Sequence, residues 1–402
     1  MKVPVTWVFL MCCIFGCLSI IHNNEFAEAK RFSKFEDLEI EKRLKAMNKP
    51  VVKIIKTIDG EKYGCVDFFK QPAFDHPSMK NHTYHYKMRP IWKRMMIEKK
   101  TNNSGFGYLW ENGVGCPIGT VPIKRVTKED LLRLDSFGDD YKPSGSWNTT
   151  ADDPNDVLNY KTHHYAVARS IDPEQRLNGA TMELCIAAPK VAPTQFSTSR
   201  LHIQMGKEFI QTGFTVNPGL YKDHKPRTFV YTNAGGKSCY NSNCDVGIML
   251  VRQDFPLGTA LTPVSVRGDK ISHYGIFGLI KDQKNGNWWL QFGDQGEEVG
   301  FWPSTRFREH YGNLVEWGGE VYSASLPSPE MGYGYFPKEE EAYDVYMKRI
   351  SVLDDGYNVD RSVDYLQQFS DDERGYRVID DTKISKYPRA GHIVFFGGPG
   401  KI

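Results

Sequence analysis

The sequence predicts a mainly β protein: an antiparallel β-sandwich of jelly-roll or lectin-like type, preceded by a small α+β unit. Three observations carry this. Aromatic residues make up 13% of the 402 residues, alongside 36 Gly and 22 Pro, a composition suited to many short strands and tight turns. From His163 onward, short apolar and β-branched runs recur with no helix-period segment between them. Turn signals such as Asn285-Gly286 punctuate those runs.

The chain divides into residues 1–29, 30–136, 137–160 and 161–402. Lys2 opens a short positive region, an apolar run follows from Val3 to Ile21, and Ala27-Glu28-Ala29 closes it, the pattern of a secretory signal cleaved after Ala29. A retained anchor is the rival reading, but Pro4, Thr6 and three Cys interrupt the run. No later stretch is long and apolar enough to span a bilayer, so no membrane association is expected after cleavage.

In the second segment, Ser33 is followed by Glu36, and Ile40, Leu44 and Met47 recur at helical spacing, predicting a capped helix that stops before Pro50. Strands are expected over 51–58 and 64–69, separated by the Asp59-Gly60 turn, and the stretch 116–123 closes this first unit. Residues 137–160 are rich in Asp, Asn, Gly, Ser, Thr and Pro, the composition of a linker and a natural place for a cleavage. In the last segment, strands are expected over 165–169, 181–187, 199–205, 209–216, 228–232, 246–252, 274–281, 288–292 and 314–324.

The 51 basic and 49 acidic residues are interspersed, for a formal charge of +2, and no basic block is present to track phosphates, which excludes nucleic acid as an expected partner. Three of the eight cysteines lie in the signal region. Of the remaining five, Cys239 and Cys244 share a Gly/Ser/Asn-rich loop that suits a local disulfide, and Cys185 in an apolar run reads as buried and free. No second Cys pair with matching His spacing is present, so no metal and no cofactor are expected. Sequons at Asn81, Asn102 and Asn148 are candidate glycosylation sites.

The sequence contains no Gly-x-Ser-x-Gly elbow, no His-Glu-x-x-His, no phosphate loop and no dinucleotide fingerprint, which turns attention to carboxylates. Alternation places Gln211, Gly213 and Thr215 on one face of a strand, and Glu316, Gly318, Glu320 and Tyr322 on one face of another. Two acids flanking a glycine suit a substrate groove, but on alternation alone they read as solvated strand residues. Trp289 and Trp302 are candidate groove aromatics, with Trp288 on the face opposite Trp289; Tyr322 shares the Glu320 face. His163 and His164 read as structural.

In the first unit, "IEKRLKAMNKPVVKII", "CVDFFKQPAFDHPSMKNH" and "CPIGTVPIKR" resemble the activation-peptide domain of the neprosin family. Later, "HHYAVAR", "GNWWLQFG", "GFWPS", "VEWGGEV" and "GGPG" resemble its catalytic domain. The resemblance runs in order through residues 35–400. It implies a plant protein, secreted to the extracellular space or cell wall and made as a zymogen. It further implies a β-sandwich glutamic peptidase that cleaves peptide or protein substrates after proline in acid, under a prodomain that covers the groove. Disulfides Cys65–Cys116 and Cys239–Cys244 fit that pattern.

Active members use two Glu on facing strands, one as general base on a water and the other to hold that water and the oxyanion. The second maps to the "EWGGE" strand, with Glu320 favoured and Glu316 the alternative; at about 13 Å apart along a strand, only one is expected beside a partner. The first normally stands in a segment like "IEAGWQVSPDLYGD", and here the stretch reads "IQTGFTVNPGLYKD", with Gln211 in the Glu position. Glu208, three residues away, falls on the opposite face. Gln211 cannot take a proton but can donate to an oxyanion. Three readings follow: an inert relative that binds peptide or cell-wall polymer, a Gln/Glu peptidase similar to fungal ones, or a two-Glu enzyme that uses another residue.

Overall fold

The computed structural model describes residues 36–90, 105–148, 162–170, 172, 174–381 and 391–402. The expected signal segment, Ser33 and the Asn102 sequon lie outside them.

A helix, α1, covers 36–47, and just beyond it Asn48 exchanges two side-chain hydrogen bonds with the backbone of Val126. Strands β1 (Val51–Lys56), β2 (Lys62–Asp67) and β3 (Thr120–Lys124) form an antiparallel sheet in that order. The turn between β1 and β2 places Gly60 at φ +82°, a conformation that favours glycine. The Cys65–Cys116 disulfide ties β2 to the loop before β3. A second helix, α2 (Lys128–Ser136), was not predicted: it buries only Leu131, too little for an apolar stripe. Its signal is the capping box, in which Thr127 and Asp130 each bond the other's backbone N–H.

The sandwich contains β4 (His163–Ser170), β5 (Gly179–Cys185), β6 (Phe196–Met205), β7 (Glu208–Val216), the short helix α3 (Pro218–Tyr221), β8 (Arg227–Ala234), β9 (Lys237–Tyr240) and β10 (Met249–Leu250). It continues through β11 (Tyr274–Lys281), β12 (Trp288–Phe292), β13 (Glu297–Trp302), β14 (Leu314–Tyr322) and β15 (Val345–Leu353). The last strands are β16 (Val359–Asp360), β17 (Leu366–Ser370), β18 (Arg377–Asp381) and β19 (Ile393–Gly397). Among the described residues, one sheet runs β17-β4-β14-β6-β7-β8-β9. The other runs β10-β13-β12-β11-β5-β15-β19-β18, with β16 on β15, and all pairings are antiparallel. Sequence patterning passed over β15 because a bulge between Lys348 and Ser351 breaks its alternation.

The sheets meet through Trp317, which donates to the Thr181 carbonyl at 3.1 Å, and through Phe214 against Phe277 at 5.1 Å. Trp302 belongs to this core and is not a groove residue; its indole N–H donates to Thr232 Oγ1 at 2.9 Å. Trp289 is also misplaced by the groove expectation. It is fully buried where the N-terminal unit meets the sandwich, against Phe301 and in one cluster with Phe68, Ala73 and Met79. At that seam Gln71 donates to the Leu250 carbonyl at 2.9 Å and accepts from its N–H at 2.8 Å, so one side chain does for β10 what a neighbouring strand would.

The Cys239–Cys244 disulfide closes the loop after β9, and Cys185 is free and buried. Asn81 is exposed, and Asn148 ends a short turn begun at Ser146. No helix among the described residues is long and apolar enough to cross a membrane.

Candidate active site

The face of the β14-β6-β7 sheet turned away from the core is ruled by register. Gly318 lies opposite Arg200, and Arg200 opposite Gly213; Glu316 pairs with His202, which pairs with Gln211. Gly318 and Gly213 take φ of +147° and +150°, and a Cβ on them would sit 2.2 Å from the Ala166 carbonyl oxygen and 2.1 Å from that of Ser199. No L side chain fits either position, so Arg200 has a bare backbone on both sides and room to lie along the sheet. Gly318→Ala should therefore lower unfolding free energy by about 2–4 kcal/mol in urea titrations; an unchanged midpoint would remove the steric argument.

Into that space Arg200 extends between the two acids. Its Nη2 donates to Glu316 Oε2 at 2.7 Å and its Nε to Glu320 Oε2 at 3.0 Å, and all three side chains are fully buried. Of the two glutamates, Glu320 is the one hydrogen-bonded to Gln211, at 3.4 Å, in line with the separation of the two acids along the strand, while one guanidinium reaches both. The expectation of a solvated face on alternation alone is corrected, since both glutamates are fully buried. Burial works to raise the Glu316 carboxyl, yet Arg200, His202 and the Ser146 hydroxyl outweigh it and hold it below its ordinary 4.5. Burial likewise opposes the Arg200 charge, and Glu316 and Glu320 more than restore it.

Gln211 faces this cluster. Its Nε2 lies 2.6 Å from the Ser144 carbonyl, 3.0 Å from His202 Nδ1 and 3.4 Å from Glu320 Oε2, three acceptors that fix which way the amide points. The two shorter contacts take its two hydrogens, and Glu320 receives the weakest share. His202 hands its other ring nitrogen to Gln204 Oε1 at 2.8 Å, and burial first of all pushes its pKa down to about 4, so it stays neutral above that pH. Glu208, on the same strand, caps the sheet end instead, accepting from Gly235 N and Arg308 N.

Three members of the site were not singled out from sequence. Arg200 and His202 are two; the alternation Thr198, Arg200, His202, Gln204 against Leu201, Ile203, Met205 was the available signal. The third is His163, read as structural, whose Nδ1 lies 3.1 Å from Glu320 Oε1. His164 is structural, buried and paired with Asp371 at 2.8 Å. Tyr322 is buried beside the site, stacked on Phe196 at 5.5 Å and 5.1 Å from the His163 ring. Among the described residues no group of three His, Cys, Asp or Glu converges as a metal site.

Part of the stretch expected to link the two units, residues 137–148, lies along this face. Ser144 N donates to Glu320 Oε1 at 2.7 Å, and the Ser144 carbonyl accepts from Gln211 and, at 3.4 Å, from Arg200 Nη2. Ser146 donates to Glu316 Oε1 through its N–H at 2.9 Å and its hydroxyl at 2.8 Å. Arg169 then clamps the Ser146 carbonyl at 2.6 Å.

The sequence profile of the neprosin catalytic domain matches residues 193–399, just over half of the chain. The chain belongs to the neprosin family. The neprosin activation-peptide profile matches residues 54–169, a span that includes the Ser144–Ser146 segment on the two carboxylates. This neprosin thus carries an intramolecular prodomain. Its fold is loosely similar to Scytalido-glutamic peptidase, solved with a peptide-based transition state analog, at 9% identity over 58% of this chain and 97% of that one, TM-score 0.35. It is also loosely similar to SCP-B, a member of the Eqolisin family of peptidases solved with the tripeptide Ala-Ile-His. The figures there are 8% identity over 58% and 96% of the two chains, TM-score 0.33.

Proposed function

We propose that this chain is a secreted, glutamic-type endopeptidase that cleaves after proline and uses Glu320 with Gln211, latent while its own Ser144–Ser146 segment occupies the groove. One observation carries the reading. A peptide carbonyl, that of Ser144, is held by Gln211 Nε2 and Arg200 Nη2 while the neighbouring amide nitrogen rests on Glu320 Oε1. Donors converging on a carbonyl beside a carboxylate are what peptide hydrolysis needs.

When the segment leaves, Glu320 Oε1 loses its Ser144 partner and opens to water with His163 still beside it, while Oε2 stays anchored by Arg200. Glu320 then takes a proton from that water, whose oxygen attacks the substrate carbonyl carbon. Gln211 and Arg200 receive the developing oxyanion. Glu320 returns the proton to the departing amine as the C–N bond breaks, and the second product leaves as a carboxylic acid. Arg200 beside Glu316 helps hold that neighbouring carboxylate charged, and the buried, neutral His202 orients the Gln211 amide. The bound segment is offset by one residue from a post-proline cut: the donors hold the carbonyl of Ser144, not that of Pro143. Such an offset lets it occupy the site without being consumed.

A second reading has its own observation. Arg200 ties one oxygen of each glutamate and neutralises much of their charge, which suits a groove that binds peptide or cell-wall polymer without turnover. Acid-treated secreted protein should cut a proline-containing fluorogenic peptide somewhere between pH 3 and 7. Activity in wild type supports the Gln/Glu reading. Activity that appears only in Gln211→Glu overturns it in favour of the binding groove.

A further inference from the structure

We infer that the cavity holding Tyr141 is a tyrosine-accepting subsite of the groove. The peptides it takes would carry Tyr three residues before the one whose carbonyl Gln211 and Arg200 hold. The inference rests on the reading of this groove as a peptide site, and it names the class of peptide.

Tyr141 is only 4% exposed, although it belongs to the segment that lies across the carboxylates. The walls around it come from the sandwich. Phe196 of β6 and Tyr322 of β14 meet its ring edge-on at 5.5 and 5.0 Å. Its hydroxyl donates to Asn217 Oδ1 at 2.6 Å and lies 3.3 Å from the Gln195 carbonyl. Asn217 Oδ1 also accepts from Leu220 N at 2.9 Å, so the acceptor is already oriented by the cap of α3. The floor is Gly219, where a Cβ would sit 2.4 Å from the tyrosine oxygen.

Depth, aromatic walls and an acceptor at the far end together select a phenol. A phenylalanine fills the walls but leaves the acceptor without its ligand partner, and an aliphatic chain neither fills the walls nor satisfies the acceptor. Burial raises the Tyr141 pKa and keeps the hydroxyl a neutral donor. Three residues separate this side chain from Ser144, a reach of at most about 11 Å, which links the cavity to Glu320 along one extended peptide. The occupant motif therefore reads Tyr-Lys-Pro-Ser-Gly-Ser.

The test is fluorescence anisotropy on the full chain carrying Tyr141→Ala, which weakens the internal occupant. The probe is labelled Asp-Asp-Tyr-Lys-Pro-Ser-Gly-Ser-Trp-Asn. This peptide should bind at least about tenfold more tightly to that variant than to wild type, whose own Tyr141 competes. The same peptide with Ala in place of Tyr should lose about thirtyfold in affinity, and with Phe about threefold. Adding Gly219→Ala to the variant should bring the Tyr peptide down to the level of the Ala peptide. Equal binding of the three peptides, indifference to Gly219→Ala, or no binding overturns the inference. Should Tyr141→Ala not fold, Tyr141→Phe serves in its place with the same ranking expected. Cleavage is not read, so an inert groove still gives this result, and a failure of turnover bears only on the proposed function.

Discussion

Glu320→Gln should abolish peptide cleavage, with a loss of at least about a thousandfold in kcat/KM, because an amide cannot take the proton that the attacking water must give up. The substitution keeps shape but leaves one acceptor oxygen: turned to Arg200, it sets the amide NH2 against the Ser144 N–H. It also removes one of two anions that share a single buried cation, so folding should lose only about 1–3 kcal/mol, the cost of one mispaired buried donor. Activity lost in a protein that still folds, with a modestly lowered thermal midpoint, is therefore the expected pair of results. Retained turnover would mean that Glu320 is not the base, and Glu316, whose Oε1 is released by Ser146 in the same way, would take its place.

The largest effect on stability is expected at Arg200. Arg200→Met leaves two buried carboxylates with no cation between them, and loss of one member of such a buried set costs about 3–5 kcal/mol. The cost should depend on pH, and its sign can be worked out. In wild type the Glu316 carboxyl sits below its ordinary 4.5, so its contribution is present above that pH and lost as pH falls through the lower, folded value. Without the guanidinium the largest influence holding Glu316 down is gone and burial pushes it up against only His202 and Ser146, so the variant gains from protonation in acid and loses as pH rises. Urea midpoints of the two proteins should lie far apart at pH 7 and converge toward pH 4. A gap independent of pH would show that Arg200 acts through packing and not through its charge.

How far the sequence reached toward this site follows from what local patterns encode. Alternation along β14 correctly grouped Glu316, Gly318, Glu320 and Tyr322, and alternation along β7 grouped Gln211 with Gly213, because period-two facing is a property of one strand. Arg200 escaped notice because its meaning depends on which strand lies between those two. Nothing within a strand says that β6 sits there, or that the register sets Arg200 between two glycines. The tryptophans show the converse limit. Adjacency did place Trp288 and Trp289 in separate clusters, but it could not show that both faces of their strand are covered. The covering of the glutamates was equally out of reach, since a run of Ser, Gly and Pro reads as a spacer until its backbone is seen on a carboxylate.

The grip of Gln71 on Leu250 bears on what maturation would leave behind. While the N-terminal unit is present, the short strand β10 has its outward N–H and C=O satisfied, and Trp289, Met249 and Phe301 are roofed by Phe68 and Met79. Detaching that unit would uncover an unpaired strand margin beside a wide aromatic surface, the combination that invites one molecule to add to the next. A processed form is therefore best kept soluble by retaining its severed N-terminal unit as a noncovalent lid on that margin. Cutting the chain and shedding the fragment become separate events, with separate consequences for catalysis and for self-association.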